Sequence, residues 1–502
     1  MTISLQLKFP ANLTLEQLIA ELGSDIDCQC VSTQPHLKTY YDSFDWRLYS
    51  SGIVCEFIPP VLTLKTVKND TVIASTELNK VPEFVQQFQH DTVGNTLAPI
   101  LEMRALLAVC TLAYQHHQFN IINEDGKTVV RLFIDEYQHI APRLFLQSLK
   151  GYDHAAESLI KHLSALGLIE TTETVLLDAL EQQGRTVNDY SSKLAISLTA
   201  NMRADVACKI IYSNLLKTIK VNEQGTISDT DSEFLHDFRV AVRRTRAALS
   251  QLKNVLPDDI HSTYVGFFSW LGQITSPTRD LDVYLLNFAS YKNSLPLAMR
   301  EHLEPLHDFL LKKQRHAQQE LVKNLHSARY HTTLSAWEHY LSEPVHIHPD
   351  ASNAHLTIKQ LADKRTRKSF KRVLHEGKAI DDGSPDEDLH ELRKSCKKLR
   401  YLMEFFQSLY DKDAIKALIK ALKGLQEVLG DFQDCAVQEG SLKHFSEEMP
   451  PINTPTDTFL AIGSLIANID TRKHQIRGHF AEKFAEFTEE QTVATFKQLF
   501  GN

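Results

Sequence analysis

An α+β fold class follows from three observations on this 502-residue chain. Strand-like alternation is confined to the first 150 or so residues, helical periodicity is nearly unbroken beyond about residue 191, and one offset of 154 residues carries a helical segment onto a later copy of itself. A chain this long divides into more than one core. The division expected is 1–190 and 195–502, the second part splitting into repeats of about 195–345 and 350–500.

In chain order, Ile3–Phe9, Gly52–Phe57, Val61–Val67, Leu101–Leu112, Phe119–Ile122, Val129–Ile134 and Arg143–Leu149 are short apolar or alternating runs between turn signals such as Glu124-Asp125-Gly126, and they predict strands. Thr14–Leu22 and Val81–Phe88 carry a helical period among them. Asp153–Leu166 and Thr174–Gln183 make a helical transition. Farther on, polar stretches at Asn222–Asp231 and Gly383–Asp388 are expected as loops, each preceding an amphipathic helix with Asp231 or Ser232, and Asp386, as its N-cap.

Those two helices hold most of the functional information. Leu235 to Arg246 and Leu389 to Arg400 share one template: His, acid, apolar, Arg, a basic pair and a final Arg. At about 100° per residue, His236, Arg239, Arg243 and Arg246 fall inside an arc of about 80°, and His390, Arg393, Lys397 and Arg400 fall in the same arc. Phe238, Val242 and Leu249, like Leu392, Cys396 and Leu399, supply a face to bury. The offset also takes Leu271 to Leu425, Asp280 to Asp434, Val283 to Val437 and Lys217 to Lys371. A single row of cations on a helix is ordinarily a solvated face. Two copies at a constant spacing predict a pseudo-symmetric helical unit whose cationic rows share a cleft with an anionic counterpart.

Charge distribution agrees with that reading. Net charge is −9, but residues 1–200 hold 14 Lys and Arg against 23 Asp and Glu, which leaves 40 against 40 in the remainder. Positive charge is concentrated there: Lys364, Arg365, Arg367, Lys368, Lys371, Arg372 and Lys378 face the single acid Glu376. A neutral region with focused cations suits a compact polyanion better than a long nucleic acid. Seven scattered cysteines, with Cys28-x-Cys30 lacking a second pair nearby, predict neither a disulfide framework nor a zinc site. The start of the chain has no basic segment before an apolar run, and no stretch of about 20 apolar residues occurs, so a soluble, reducing, cytoplasmic setting is expected.

The duplicated motif, followed by Trp270-Leu271-Gly272, Pro277-Thr278-Arg279-Asp280-Leu281-Asp282-Val283 and, in the second copy, Leu425-Gln426 and Leu429-Gly430-Asp431-Phe432-Gln433-Asp434, resembles the CHAD family of histidine α-helical domains over about residues 195–500. The resemblance implies two pseudo-symmetric four-helix bundles that bind inorganic polyphosphate in a basic channel and bring the protein to polyphosphate granules and their associated proteins. Carried onto this sequence, the expected binding residues are His236, Arg239, Arg243, Arg244, Arg246, His390, Arg393, Lys397, Lys398, Arg400, Lys217, Arg367, Lys371, Arg372 and Arg279. Asp280 and Asp434 read as partners orienting a His or Arg. Protonation of the histidines near about pH 6 would strengthen binding.

Residues 1–190 are similar to the CYTH or triphosphate-tunnel family, chiefly through Tyr40-Tyr41-Asp42-Ser43-Phe44-Asp45-Trp46-Arg47-Leu48-Tyr49-Ser50-Ser51-Gly52-Ile53, with Leu64-Lys65 and Phe133-Ile134-Asp135-Glu136 at later positions. That implies an antiparallel β-barrel or tunnel. Ser4, Gln6 and Lys8 stand where the family has Glu-x-Glu-x-Lys, and neutral side chains hold Mg²⁺ poorly. Cys55, Glu56 and Phe57 follow Gly52 where arginines are expected, and Arg143-Leu144-Phe145-Leu146-Gln147 lacks a carboxylate. The expectation is a non-enzymatic tunnel with no cofactor, metal or catalytic residue, in which Lys8, Lys65, Arg104 and Arg131 hold an anion weakly.

The leading expectation is therefore a polyphosphate-binding protein without specific nucleic-acid or membrane partners. One rival is a metal-dependent triphosphatase in residues 1–190, which needs acids absent at positions 4 and 6. A second is nucleic-acid binding, which needs aromatic rings among the cations. Tyr401 at the end of the second row keeps that rival open.

Overall fold

The computed structural model describes residues 3–88, 91–192, 194–346, 348, 350–381 and 383–501. It divides into two compact units, Met1–Ser191 and Ser192–Asn502.

The first unit contains strands β1 (Ser4–Lys8), β2 (Asp27–Asp42), β3 (Ile53–Ile58), β4 (Val61–Thr66), β5 (Val72–Glu77), β6 (Leu107–Ile122), β7 (Thr128–Tyr137), β8 (Arg143–Ser148) and β9 (Ile169–Glu170). Its helices are α1 (Leu15–Asp25), α2 (Arg47–Ser50), α3 (Thr92–Leu101), α4 (Asp153–Ala165) and α5 (Val175–Gln182). The strands form one antiparallel sheet in the order β5-β4-β3-β2-β6-β7-β8-β1-β9. Among the described residues no ladder joins β5 to β9, so the expected closed barrel is an open sheet. A two-residue β9 offers little to pair with, and helices cover the faces instead. Val175, Leu176, Ala179 and Leu180 of α5 share an apolar cluster with Tyr40, Tyr114 and Tyr137. On the opposite face, α1 and α4 pack on Leu7, Leu132, Ile134, Leu144 and Leu146.

Two local expectations also fail. Val81–Phe88 yields only a 3₁₀ turn at Val85–Gln87, because the Glu83 carbonyl accepts from the Leu106 N–H and not from the next helical turn. The run Leu101–Leu112 is split, with α3 ending at Leu101 and Glu102 turning the chain at φ 54° before β6 begins. The long β2 escaped notice because its first residues are mostly polar and exposed. Pairing with β6, not an apolar pattern, holds it extended.

The second unit is all helical: α6 (Ala204–Ser228), α7 (Ser232–Gln251), α8 (Asp258–Leu286), α9 (Phe288–Asn293), α10 (Leu297–Arg300), α11 (Glu304–Leu325), α12 (Ala328–Ser342), α13 (Ile358–Lys378), α14 (Asp386–Phe406), α15 (Lys412–Glu448), α16 (Thr456–Gly478), α17 (Phe480–Phe487) and α18 (Glu490–Phe500). The first residues of α13, α14 and α15 lie 154 positions after those of α6, α7 and α8. Asp231 caps α7, its carboxylate accepting from the Glu233 N–H at 2.8 Å. At α14 the cap is Pro385, and Asp386 sits in the first turn with Glu387 and Asp388, where the helix dipole favours acids. α6 continues through most of the expected loop 222–231, since buried Asn222 donates to the Thr218 carbonyl one turn back.

Apolar packing in this unit falls into three clusters. The first joins α6, α7, α12 and the N-terminal half of α8 with the end of α11, the start of α13 and the end of α14, and the second joins the rest of α13 and α14 with α17, α18 and the N-terminal half of α15. The third takes Leu281 and Tyr284 from α8, Leu306 and Leu310 from α11, Cys435 and Leu442 from α15, and Ala461 and Leu465 from α16. α8 and α15 are 29 and 37 residues long, so their C-terminal halves outrun the first two clusters and build this third one together. The division into two bundles is thus bridged by a shared core.

Candidate functional site

Four helices of the second unit, α7, α8, α13 and α14, enclose a cleft of about 860 Å³. α7 contributes Arg243, Arg246 and Ser250, with Lys253 just beyond it, and α8 contributes His261 and Ser269. Arg365, Lys368 and Arg372 come from α13, and Lys394, Lys397, Lys398 and Tyr401 from α14. Spacing explains the α13 row: positions i, i+3 and i+7 share about 60° of a helix, while Leu361, Phe370 and Val373 turn inward. Among the described residues nine that line the cleft are Lys or Arg and none is Asp or Glu, so that wall has no internal counter-charge.

Few of these cations are neutralised from behind. Arg372 meets Glu376 at 2.6 Å and Lys394 pairs with Glu391. Arg243 Nε donates to the Tyr401 hydroxyl at 2.8 Å. Among the described residues no carboxylate lies within ion-pair distance of Arg246, Lys253, Lys368, Lys397 or Lys398. Burial, followed by the repulsion of Arg393, Arg243 and Arg400 and opposed by Asp434, brings the Lys397 ammonium down to about 7. Burial also lowers Arg365. Such a site gains by admitting an anion, which restores the favourable field of the charged lysine.

Of the residues expected from sequence, Arg243, Arg246, Lys397, Lys398 and Arg372 line the cleft. The others are turned to different tasks. Arg239 donates to the Gly272 carbonyl at 3.3 Å, Thr275 Oγ1 at 2.9 Å and Ser276 Oγ at 3.0 Å, and burial, with Arg243, Arg279 and Arg246 nearby and Asp280 opposing, brings it down to about 10. Its repeat-mate Arg393 lies 3.5 Å from Asp434. Burial raises the carboxyls of Asp280 and Asp434, opposed by the charges of Arg239 and Arg279 at the first and of Arg393 and Lys397 at the second. Arg244 and Arg400 share one carboxylate, Glu404, at 3.1 and 3.3 Å. Arg279 donates to the Ser232 carbonyl, Glu233 and His236 Nδ1, each at 3.1 Å. In the second copy His390 Nδ1 is 2.5 Å from Oε1 of Gln433, the repeat-mate of Arg279. Each histidine therefore ties its helix to the next, and neither is among the cleft-lining residues. Lys217 and Lys371 are exposed and Arg367 is half-buried, all outside the lining.

Sequence reasoning passed over Lys253, Arg365, Lys368 and Lys394 as site residues. The i, i+3, i+7 spacing of Arg365, Lys368 and Arg372, the same as in the His-led rows, was the signal that could have found the α13 wall.

In the first unit Ser4 and Gln6 share a strand face with Lys8, which lies 3.2 Å from Asp178. Arg143, opposite Lys8 in register and fully buried, pairs with the same carboxylate. Lys65 is held by Glu56 at 2.5 Å and Asp70 at 3.3 Å, and Arg104 by Asp45 at 3.2 Å, while Arg131 is exposed. Three of the four cations expected to hold an anion weakly thus already face acids. Among the described residues no cluster of three His, Cys, Asp or Glu side chains is arranged for a metal ion. No helix there is long and apolar enough to cross a membrane.

Residues 211–443 match the family described as the CHAD domain. Two uncharacterized proteins from two strains of Mycobacterium tuberculosis are 27% identical over 228 residues, 45% of this chain and 42% of theirs. The match thus spans less than half the length of those relatives. Among solved structures, the CHAD domain of the plant Ricinus communis is 26% identical, covering 58% of this chain and 95% of that one with a TM-score of 0.49. PptA from Streptomyces chartreusis is 15% identical, covering 56% and 99% with a TM-score of 0.46. The N-terminal part is similar to a Hippeastrum protein described as an adenylyl cyclase candidate with a dominant triphosphatase activity, at 13% identity, 38% and 100% coverage and a TM-score of 0.27.

Proposed function

Residues 211–443 form a CHAD domain, and from that premise we propose that the cleft between α7, α8, α13 and α14 binds inorganic polyphosphate. One observation carries the reading: nine Lys and Arg converge on about 860 Å³ with no acid among them. A linear polyanion with roughly one charge per phosphate meets such a wall through charge-assisted contacts, bidentate from Arg and point-like from Lys. The hydroxyls of Ser269, Ser369 and Ser395 add neutral donors. Association with cytoplasmic polyphosphate granules is part of the same proposal.

Nucleic acid is the weaker reading. Among the described residues Tyr401 is the single Phe, Tyr or Trp in the lining, it is only 3% exposed, and its hydroxyl is engaged by Arg243. A ring so placed offers no face for a base to stack on. We further propose that the first unit is not a triphosphatase, because Ser4 and Gln6 supply no charge to hold a metal ion. Competitive binding of the full-length protein to long-chain polyphosphate, tripolyphosphate and single-stranded DNA tests the function. Long polyphosphate is expected to displace both others at equal phosphate concentration. Equal affinity for DNA would reduce the cleft to a generic basic surface.

A further inference from the structure

A helical unit built from two copies of one design should own two equivalent clefts, yet the residues of the cleft are matched on the other copy by a different chemistry. Subtracting or adding 154 takes Arg365 to Ile211, Ser369 to Leu215, Gln251 to Phe405 and His261 to Ile415. All four mates are at most 1% exposed and belong to apolar clusters. Ser250, an uncharged lining residue, is matched by Glu404, which binds Arg244 and Arg400. Gly272 is matched by Gln426. A Cβ at 272 would lie 2.9 Å from Nη1 of Arg246, so glycine there lets that guanidinium pass beside α8. At the twin position a buried Gln side chain stands instead.

The chain itself also closes the twin. Ile196 and Leu198, ahead of α6, are 6% and 5% exposed and pack into the cluster that holds Ile211, Leu215 and Phe405. The Leu198 N–H donates to Ser408 Oγ at 3.0 Å, and Arg244 donates to the Ser192 carbonyl at 3.1 Å. Backbone and apolar side chains thus occupy the ground that would otherwise receive an anion.

We infer that the protein has a single, one-sided anion site in which the α13 row Arg365, Lys368 and Arg372 is the specificity-determining wall, the twin cleft being permanently filled by residues 194–198 and neutralised by Glu404. This rests on the polyphosphate reading above and deepens it. The paired His-led rows supply a symmetric floor, since Arg243 and Lys397 are repeat-mates and both line the cleft. Affinity is decided by the α13 row, whose mates Ile211, Asn214 and Thr218 carry no charge.

Calorimetric titration of the full-length protein with a size-fractionated polyphosphate short enough to fill one cleft tests this. One chain bound per protein is expected. Arg365→Gln with Lys368→Gln and Arg372→Gln should weaken binding about a thousandfold, at roughly tenfold per lost charged contact. Arg365→Lys with Arg372→Lys, which keeps the charge, should retain most of the affinity, and an unchanged circular dichroism spectrum and thermal midpoint of the triple Gln variant separate its loss of binding from loss of fold. Lys416→Gln with Lys423→Gln, exposed on α15 at the mates of Ser262 and Ser269, should change affinity less than about twofold, as expected for screened distant charges. Two chains per protein, or equal losses in the α13 and α15 variants, would overturn the one-sided site. Failure of the unaltered protein to bind any polyphosphate would instead overturn the function on which it rests.

Discussion

Lys397→Arg and Lys397→Met should separate the two consequences of holding a lysine among arginines. In the free protein the ammonium is lowered from an ordinary 10.5 to about 7. It faces Arg243 of α7, Arg393 and Arg400 of its own helix and Asp434 of α15, with Lys368 and Arg372 of α13 on the same cleft. Between about pH 7 and pH 10.5 the unfolded chain binds the extra proton, so stability rises with pH there, and at pH 7 the cost of the depressed lysine is at most about 4 kcal/mol. Lys397→Met should recover part of that cost in urea unfolding. Polyphosphate pushes the group back up, so the complex takes up a proton. At pH 7 that uptake should be about half a proton, approaching one near pH 8, with affinity falling about 50-fold between pH 7 and pH 9 if the bound-state value lies above 9. Affinity is fullest below the free value and fades as pH climbs through the bound one. Calorimetry in buffers of different ionisation enthalpy reads the uptake directly, with long chains chosen so that terminal phosphates are few. The Arg variant should bind well with no such slope. A slope of equal size in Lys397→Arg, or no proton uptake by the unaltered protein, would refute the reasoning.

Other expectations are shorter. Arg239→Ala removes donors to Gly272, Thr275 and Ser276 and should destabilise the helical unit by about 2–4 kcal/mol in urea; a loss of binding with unchanged stability would contradict the structural role. Gly272→Ala crowds the end of a flexible Arg246 side chain, so polyphosphate affinity should fall a few-fold while the thermal midpoint hardly moves. His236→Gln with His390→Gln should leave the pH dependence of binding in place, because neither ring lines the cleft. In the first unit, Asp178→Asn leaves fully buried Arg143 without its carboxylate and should cost about 3 kcal/mol, whereas Mg²⁺ or Mn²⁺ added to the full-length protein should give no turnover of triphosphate.

The cationic rows of α7 and α14 were legible because a helix converts spacing into a face without help from the rest of the fold. Their fates were not. A helical wheel places Arg239, Arg243 and Arg246 side by side, but which of them meets Thr275, which meets Tyr401 and which slides past Gly272 depends on the neighbouring helix. Arg244 and Arg400 matched the expected pattern as well as Lys397 did, and only the arrival of Glu404 from one helical turn past Arg400 takes them out of the cleft. The α13 wall was visible as a run of charge and was undervalued because the duplication drew attention to matched positions, whereas Arg365 and Lys368 are unmatched. In the sheet, apolar alternation found β1, β3, β4 and β8, while β2 depends on a partner remote in sequence.

The third apolar cluster bears on how the helical unit can come into being. Leu281 and Tyr284 meet Cys435 and Leu442 across about one repeat length, so neither copy can complete its burial during synthesis until the other has emerged. Loop closure on that scale slows folding and welds the two copies into one cooperative transition. A chain severed between residues 345 and 350 should therefore give two poorly folded fragments that regain native circular dichroism only when mixed, a reconstitution that two independent bundles would not need.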